Sequence, residues 1–476
     1  MSVHGQDDQR VSPDASADTA PAVDPATLIR SKQYRVLLVL AALIGVLVSL
    51  ASWGFLEAVY YIQRGVYTDL PSDLGYDTVP WWWPLPWLAL AGSLTALAIT
   101  RLPGRGGHVP ADGLKTGAAP TRPVELPGVL LAALATLGLG LVLGPEAPLI
   151  ALGLGLGILA IRLARKDAPD QVLGLMAAAG SFAAISSLFG SPVVGAVILI
   201  EAAGLGGPTL PLVLLPGLLS AGIGSLVFIG MGSWTGLSTS AYALSPLALP
   251  AFSRPDLGDF GWTIVLAVAA AVVTFVIVEL AKWGKRAVAP RPFLLTIAAA
   301  LVVGGLAIGF NLATDQPVDT VLFSGQDAFS ALLKSAPTLS LWTLALLLLF
   351  KGLAWSISLG NFRGGPTFPA LFLGVVAGLL AAHLPGFSET PAVAVLMAAG
   401  CVSVLRLPLA TAVITLILTS SAGLGVSPLI VVSVVVAYVT VESLTALRSA
   451  TIKPPAGVEQ EAAVAKAASA QSPAEA

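Results

Sequence analysis

Apolar residues dominate the chain from Val36 to Val441, and short polar interruptions cut this stretch into segments. A hydrocarbon core about 30 Å thick takes roughly 20 apolar residues as a helix, so the pattern predicts a multi-pass, all-α membrane protein. The first span is expected over Val36 to Ile62. The second opens at Trp81, Trp82 and Trp83, amphipathic rings suited to a headgroup boundary, and closes at Arg101 and Arg105. Further segments follow at about 126–143, 147–163, 171–189, 192–205, 209–231, 261–281, 293–313, 339–358, 369–384, 391–402, 406–421 and 428–447. Several are too short to cross. Gly and Pro stand at their junctions, in Gly144-Pro145, Gly190-Ser191-Pro192, Gly364-Gly365-Pro366 and Leu407-Pro408. An unpaired backbone amide in hydrocarbon costs several kcal/mol, so such breaks persist only where protein or a hydrated cavity satisfies them. Broken, tilted helices around a site are therefore predicted.

The polar stretch from Gly232 to Phe260 divides the membrane domain, about 34–450, into halves at about 34–231 and 261–450. Each half carries a Gly-rich break at a similar depth, at Gly144 and at Gly364. Matching interruptions predict inverted halves with the site at their interface. The correspondence rests on position, since no clear residue identity links the halves. Residues 1–33 and 453–476 lack large apolar patterns and are expected to be disordered tails, leaving no room for a C-terminal regulatory domain. Arg30, Lys32 and Arg35 precede the first span, and the loop after it carries Asp69, Asp73 and Asp77. The positive-inside rule then places the N-terminus in the cytoplasm of a cell-membrane protein.

Composition narrows the function classes. Charged residues make up only 11% of the chain and apolar ones 56%, so lipid is the solvent for most of it. The net charge of −2 and the absence of a basic stripe argue against a nucleic-acid partner. One cysteine, Cys401, permits no internal disulfide, and three scattered histidines suggest no metal centre, so no cofactor is expected. Ser186, Ser187 and Ser191 lie close together, but no histidine stands in a motif with them, and an intramembrane enzyme is disfavoured.

Four constellations carry chemistry. In Gly144-Pro145-Glu146-Ala147-Pro148, a proline near a first helical turn leaves free amides that suit an anion, and Glu146 sits among them. A glutamate there acts as a tethered anion that leaves when protonated; the plain alternative is a stabilising acid at a helix start. The second, Gly360 to Pro369, brings Gly365, Pro366, Thr367 and Phe368 to another helix start, where the amides of Thr367 and Phe368 are expected to face the same anion. A tight interhelical turn is the alternative. Gly106-Gly107-His108-Val109-Pro110 is a polar break beside a span, equally readable as a plain loop. Phe189 to Gly195 leads to Glu201, an intramembrane carboxylate and hence a functional candidate, or else a glutamate on the water side of a helix end.

In order and spacing these four segments resemble the CLC family of chloride channels and proton/chloride exchangers. The family's Gly-Ser-Gly-Ile-Pro loop is similar to residues 106–110, and its Gly-Lys/Arg-Glu-Gly-Pro gate to 144–148. Its Phe-Asn-Ala-Pro-Leu-Ala-Gly stretch is similar to 189–195, and its Gly-Gly-x-Phe-x-Pro segment to 364–369. The resemblance implies a homodimer with one pore per subunit, chloride as the transported partner, Glu146 as the gate, and main-chain amides after Gly365 around the anion. Gly107, Gly144, Pro145 and Ala147 complete the implied anion-binding set, and Glu146 with Glu201 the candidate proton path.

The departures are specific. Gly107 replaces the family's pore serine, Pro366 lacks an amide that relatives supply, and Phe368 directly precedes Pro369. Ala202 stands where proton-coupled relatives hold an inner glutamate, and no tyrosine occurs over 442–449. The missing carboxylate favours uncoupled flow, with proton/chloride antiport through Glu442, Glu279 or a water chain as the alternative. A secondary carrier for an organic anion is a further alternative.

Overall fold

The computed structural model describes residues 25–113, 121–204, 206–207, 210–235 and 246–452. The chain runs through α1 (Pro25–Arg30), α2 (Lys32–Arg64), α3 (Leu70–Asp73), α4 (Pro84–Arg101), α5 (Leu126–Gly138), α6 (Glu146–Ala164), α7 (Asp170–Phe189), α8 (Pro192–Ala202) and α9 (Leu210–Thr235). After the connector come α10 (Leu257–Val288), α11 (Pro292–Thr314), α12 (Phe329–Ser335), α13 (Leu341–Asn361), α14 (Thr367–Ala381), α15 (Glu389–Leu405), α16 (Pro408–Leu418) and α17 (Ser427–Ile452). Among the described residues eight helices are long and apolar enough to span a membrane, while the shorter apolar ones include α8, α14, α15 and α16. At 32 residues α10 is about 48 Å long, more than the hydrocarbon core requires, so it must tilt or project.

The hydrophobic pattern located most long helices to within a few residues, fell seven residues short of the end of α10, whose last two turns carry Lys282, Lys285 and Arg286, and misjudged two other places. Helix α5 ends at Gly138 instead of near 143, because Leu139 to Gly144 unwind and their backbone groups find partners elsewhere. The Tyr67 hydroxyl donates to the Leu139 carbonyl at 3.1 Å, and the Phe323 amide donates to that of Gly140 at 3.3 Å. Val142 N–H donates to Ser358 Oγ at 3.2 Å. Protein, not lipid, satisfies the broken backbone. The short helix α12 and the irregular segment before it went unanticipated, since periodicity is too weak in a seven-residue element. Of the tail expected over 1–33, residues 1–24 lie outside the described residues, and 25–33 are mostly helical; the C-terminal tail from 453 also lies outside them.

The halves repeat a local grammar. Helices α7 and α15 each end on a left-handed residue, Gly190 at φ 63° and Arg406 at φ 58°. Each is followed by an 11-residue helix beginning at proline, α8 from Pro192 and α16 from Pro408. A proline at the first helical position forfeits no hydrogen bond and brings a preset φ. These two short helices pack on each other, and α4 packs on α11, so the halves interlock. The Glu201 carboxylate at the end of α8 accepts from Leu409 N–H at 2.9 Å and Ala410 N–H at 2.7 Å, capping α16 across the interface.

Small residues set the closest helix approaches. Gly153 of α6 faces the Gly180 carbonyl of α7, and Gly157 faces that of Met176, with no space for a Cβ at either. Gly374 and Gly378 of α14 press likewise on Met397 and Val393 of α15. Without a hydrophobic drive between helices in lipid, such backbone approach is a main source of association. Gly180→Val is therefore expected to destabilise the fold by about 1–3 kcal/mol or more through overpacking, read as a lower unfolding midpoint in detergent. Glu201→Ala is expected to cost about 0.5–2 kcal/mol through loss of the α16 cap, and Glu201→Gln less, by the same measurement.

Candidate functional site

The two broken loops carry the same five-residue pattern. Gly144-Pro145-Glu146-Ala147-Pro148 opens α6, and Gly365-Pro366-Thr367-Phe368-Pro369 opens α14. This residue-level repeat corrects the reading that the halves correspond by position alone. Pro145 (φ −85°, ψ 0°) and Pro366 (φ −89°, ψ −12°) adopt nearly one conformation. Gly144 and Gly365 meet as an isolated antiparallel bridge, each amide donating to the other's carbonyl, at 2.7 Å and 2.5 Å. The two helix starts are thus hydrogen-bonded back to back in the core.

Helix hydroxyls buttress the junction crosswise. Thr136 of α5 accepts from Arg363 N–H at 3.4 Å, as Ser358 of α13 accepts from Val142 N–H. Lys351 of α13, 1% exposed, donates to the carbonyls of Thr320, Val321 and Leu322 at 3.1, 3.1 and 2.7 Å and lies 4.6 Å from the Phe372 ring centroid. The segment it holds presents Phe323 edge-on to Tyr67, at 5.0 Å, above the unwound Leu139 to Gly144. In sequence Lys351 stands nine residues before the Gly-rich segment that begins at Gly360. Its acceptors come from a loop about 30 residues away in sequence, which no local pattern reveals.

Glu146 is 5% exposed, and its Oε1 accepts from Phe368 N–H at 3.1 Å. Its Oε2 has no hydrogen-bond partner among the described residues. The carboxylate of one half therefore occupies the electropositive helix start of the other, where free amides favour negative charge. Gly365 leaves the space: a Cβ there would overlap the Glu146 carboxylate. A cavity of about 20 Å³ adjoins Glu146 and is lined by Ala147, Ile185, Phe189, Pro366, Thr367 and Leu405 among others. That volume suits about one water-sized particle. Phe189 stacks on Phe368 at 5.7 Å and 16°, closing one wall with aromatic carbon.

Of the residues singled out in the sequence, Gly144, Pro145, Glu146, Ala147, Gly365, Pro366, Thr367 and Phe368 converge here. Gly107 does not line this cavity. It belongs to a left-handed run, Gly104 to Gly107, whose φ values are 74°, 48°, 73° and 93°, and it faces Val129 of α5. Glu201 is engaged at the α16 cap. A second cavity, of about 160 Å³, is lined by Asp112, Glu279, Lys282, Ser403, Val404 and Arg406 among others. Leu405 lines the Glu146 cavity, while its chain neighbours Val404 and Arg406 line the second one. Glu279 pairs with Lys282 at 2.9 Å and with Arg448, and Glu442 pairs with Arg406. Arg406 also donates to Thr445 Oγ1 at 2.8 Å.

Comparison with known proteins agrees with this geometry. The family described as voltage gated chloride channel matches residues 103–442. The ion-transport protein named YfeO of Salmonella choleraesuis strain SC-B67 is 29% identical over 364 residues, covering 74% of this chain and 81% of the relative. The Escherichia coli strain SMS-3-5 protein of that name is 29% identical over 365 residues, covering 75% and 81%. The fold is similar to that of a slow cyanobacterial Cl−/H+ antiporter, with a TM-score of 0.68, 22% identity, and 86% and 94% of the two chains covered. It is also similar to that of a CLC-type fluoride/proton antiporter, with a TM-score of 0.65, 19% identity, and 85% and 95% covered. Two Gly-Pro helix starts joined at Gly144 and Gly365, the buried glutamate between them, and a family match spanning both establish that this chain belongs to the voltage gated chloride channel family, CLC.

Proposed function

We propose that the chain moves small inorganic anions, chloride foremost, across a membrane, with Glu146 as the gate. The observation that carries this reading is the hydrogen bond from Phe368 N–H to Glu146 Oε1 inside a small, largely apolar cavity. A helix-start amide in a dehydrated site binds either the tethered carboxylate or a free anion, and protonation of Glu146 hands the position to the free anion. The cavity is too small and too poor in polar side chains for an organic anion, which disfavours the organic-anion carrier. Kinship with the voltage gated chloride channel family supports a transporter over an enzyme. Family kinship also supports a homodimer, and the cations before α2 support a cytoplasmic N-terminus.

Uncoupled flow is the reading we favour. Ala202 offers no proton-carrying group, Glu201 is engaged by two amides, and Glu279 and Glu442 hold ion pairs with Lys282, Arg448 and Arg406. Proton-coupled antiport is the second reading, favoured by the activities named for the two structural relatives. Uphill proton movement in liposomes under a chloride gradient would decide for coupling.

Parent protein is expected to pass more chloride as pH falls, because protonation releases the gate. Glu146→Gln is expected to raise flux at neutral pH about tenfold and to flatten the pH profile, reflecting loss of a charged hydrogen bond worth about 1.5–3 kcal/mol. Chloride efflux from liposomes across pH checks this, and an unchanged profile removes Glu146 from gating. Gly365→Ala is expected to act in the same direction, since the added methyl displaces the flexible carboxylate before it moves the backbone. Combined with Glu146→Gln it should add little, because both changes empty the same seat.

A further inference from the structure

We infer that Arg363 is a direct ligand of the transported anion, supplying a donor that carries a fixed positive charge. This rests on the anion-transport reading above and names a group that it does not use. Arg363 is 7% exposed and stands two residues before Gly365, on the loop that opens α14. Its guanidinium reaches from that loop to the left-handed turn at Gly104 to Gly107. Nη1 donates to the Phe362 carbonyl at 3.1 Å and Nη2 to the Arg105 carbonyl at 3.3 Å. Nε is buried without a partner among the described residues. It faces Gly106, where a Cβ would lie 3.5 Å away.

Charge balance makes the arrangement unusual. Among the described residues no carboxylate lies within ion-pairing distance of this guanidinium. Asp112, the acid that acts on it through space, is engaged by Lys285 Nζ at 2.7 and 2.9 Å. A buried charge without a counter-charge is costly, and carbonyl dipoles on two of its nitrogens offset only part of that cost. The other deeply buried cation of the described region, Lys351, shows the settled alternative, with three carbonyls around its ammonium. Arg363 keeps an N–H open instead.

The repeat sharpens the point. Counting back from the two Gly-Pro pairs, the position matching Arg363 is Val142, which is fully buried and apolar. Fold maintenance at this junction is met by valine in one half, so it does not by itself demand a guanidinium in the other. An anion resting between the α14 start and the Gly106 turn would receive an N–H from a fixed positive charge, a stronger donor than a hydroxyl. The ligand class is a small inorganic anion, since one open N–H in a tight space offers no bidentate fork to a carboxylate.

Crystals of the parent protein soaked in bromide test this by anomalous scattering. Bromide is expected within about 3.5 Å of Arg363 Nε. Bromide beside Phe368 alone would overturn this inference and leave the transport reading intact, whereas no bromide in either place together with no bromide flux would overturn both. In liposomes Arg363→Gln is expected to raise the half-saturating chloride concentration about tenfold, and Arg363→Lys to stay within about threefold of parent, as a charged hydrogen bond implies. Lowered thermal midpoints in both variants with unchanged half-saturation would show a purely structural role and overturn the inference. If Arg363→Gln fails to fold, the bromide positions in the parent decide.

Discussion

The backbone of this protein is broken at its centre, and the mutual hydrogen bonds of Gly144 and Gly365 make that break tolerable. Inside a membrane each unpaired peptide group is a liability of several kcal/mol, so two interrupted helices survive only by satisfying each other. Everything functional follows from the exchange. It sets the α6 and α14 starts back to back, directs the Phe368 amide toward the opposite loop, and leaves the Glu146 side chain the space that a Cβ on Gly365 would fill.

Around that exchange the fold is a frame of braces. Ser358 and Thr136 reach across to the opposite loop, Lys351 draws three carbonyls inward, and Tyr67 supports the unwound approach to Gly144. Glycines at the α6–α7 and α14–α15 crossings bring helix backbones together and make these positions stiff. Stiffness matters for an anion site because amides held in place need no reorganisation to receive a dehydrated ion.

Charge is distributed unevenly about this symmetric scaffold. At matching places in the two Gly-Pro loops stand Glu146 and Thr367, and two residues before the glycines stand Val142 and Arg363. The repeat provides two equivalent helix starts, and substitutions at these few positions give one start a carboxylate and the other a guanidinium nearby. The second cavity carries carboxylates that are already matched by cations, so that region presents paired charge instead of a free acid.

What the sequence by itself determined is the set of helices and breaks. Long apolar runs leave no other solvent than lipid, and Gly-Pro pairs stop helices because proline lacks an amide hydrogen and glycine tolerates the turn. The convergence of Gly144 to Ala147 with Gly365 to Phe368 was legible for the same reason, since helix starts attract anions wherever they occur. Tertiary structure alone decided which groups are consumed. Glu201 reads in sequence as a free intramembrane acid and is spent on the α16 cap; Gly107 reads as a filter residue and packs on Val129. Lys351 is surrounded by three carbonyls while Arg363 Nε has no partner among the described residues, though both cations stand near the same glycine loop in sequence. Hydrogen-bond partners 30 to more than 200 residues away make those distinctions, and the identity of a partner across an interface is set by packing, which local pattern does not encode.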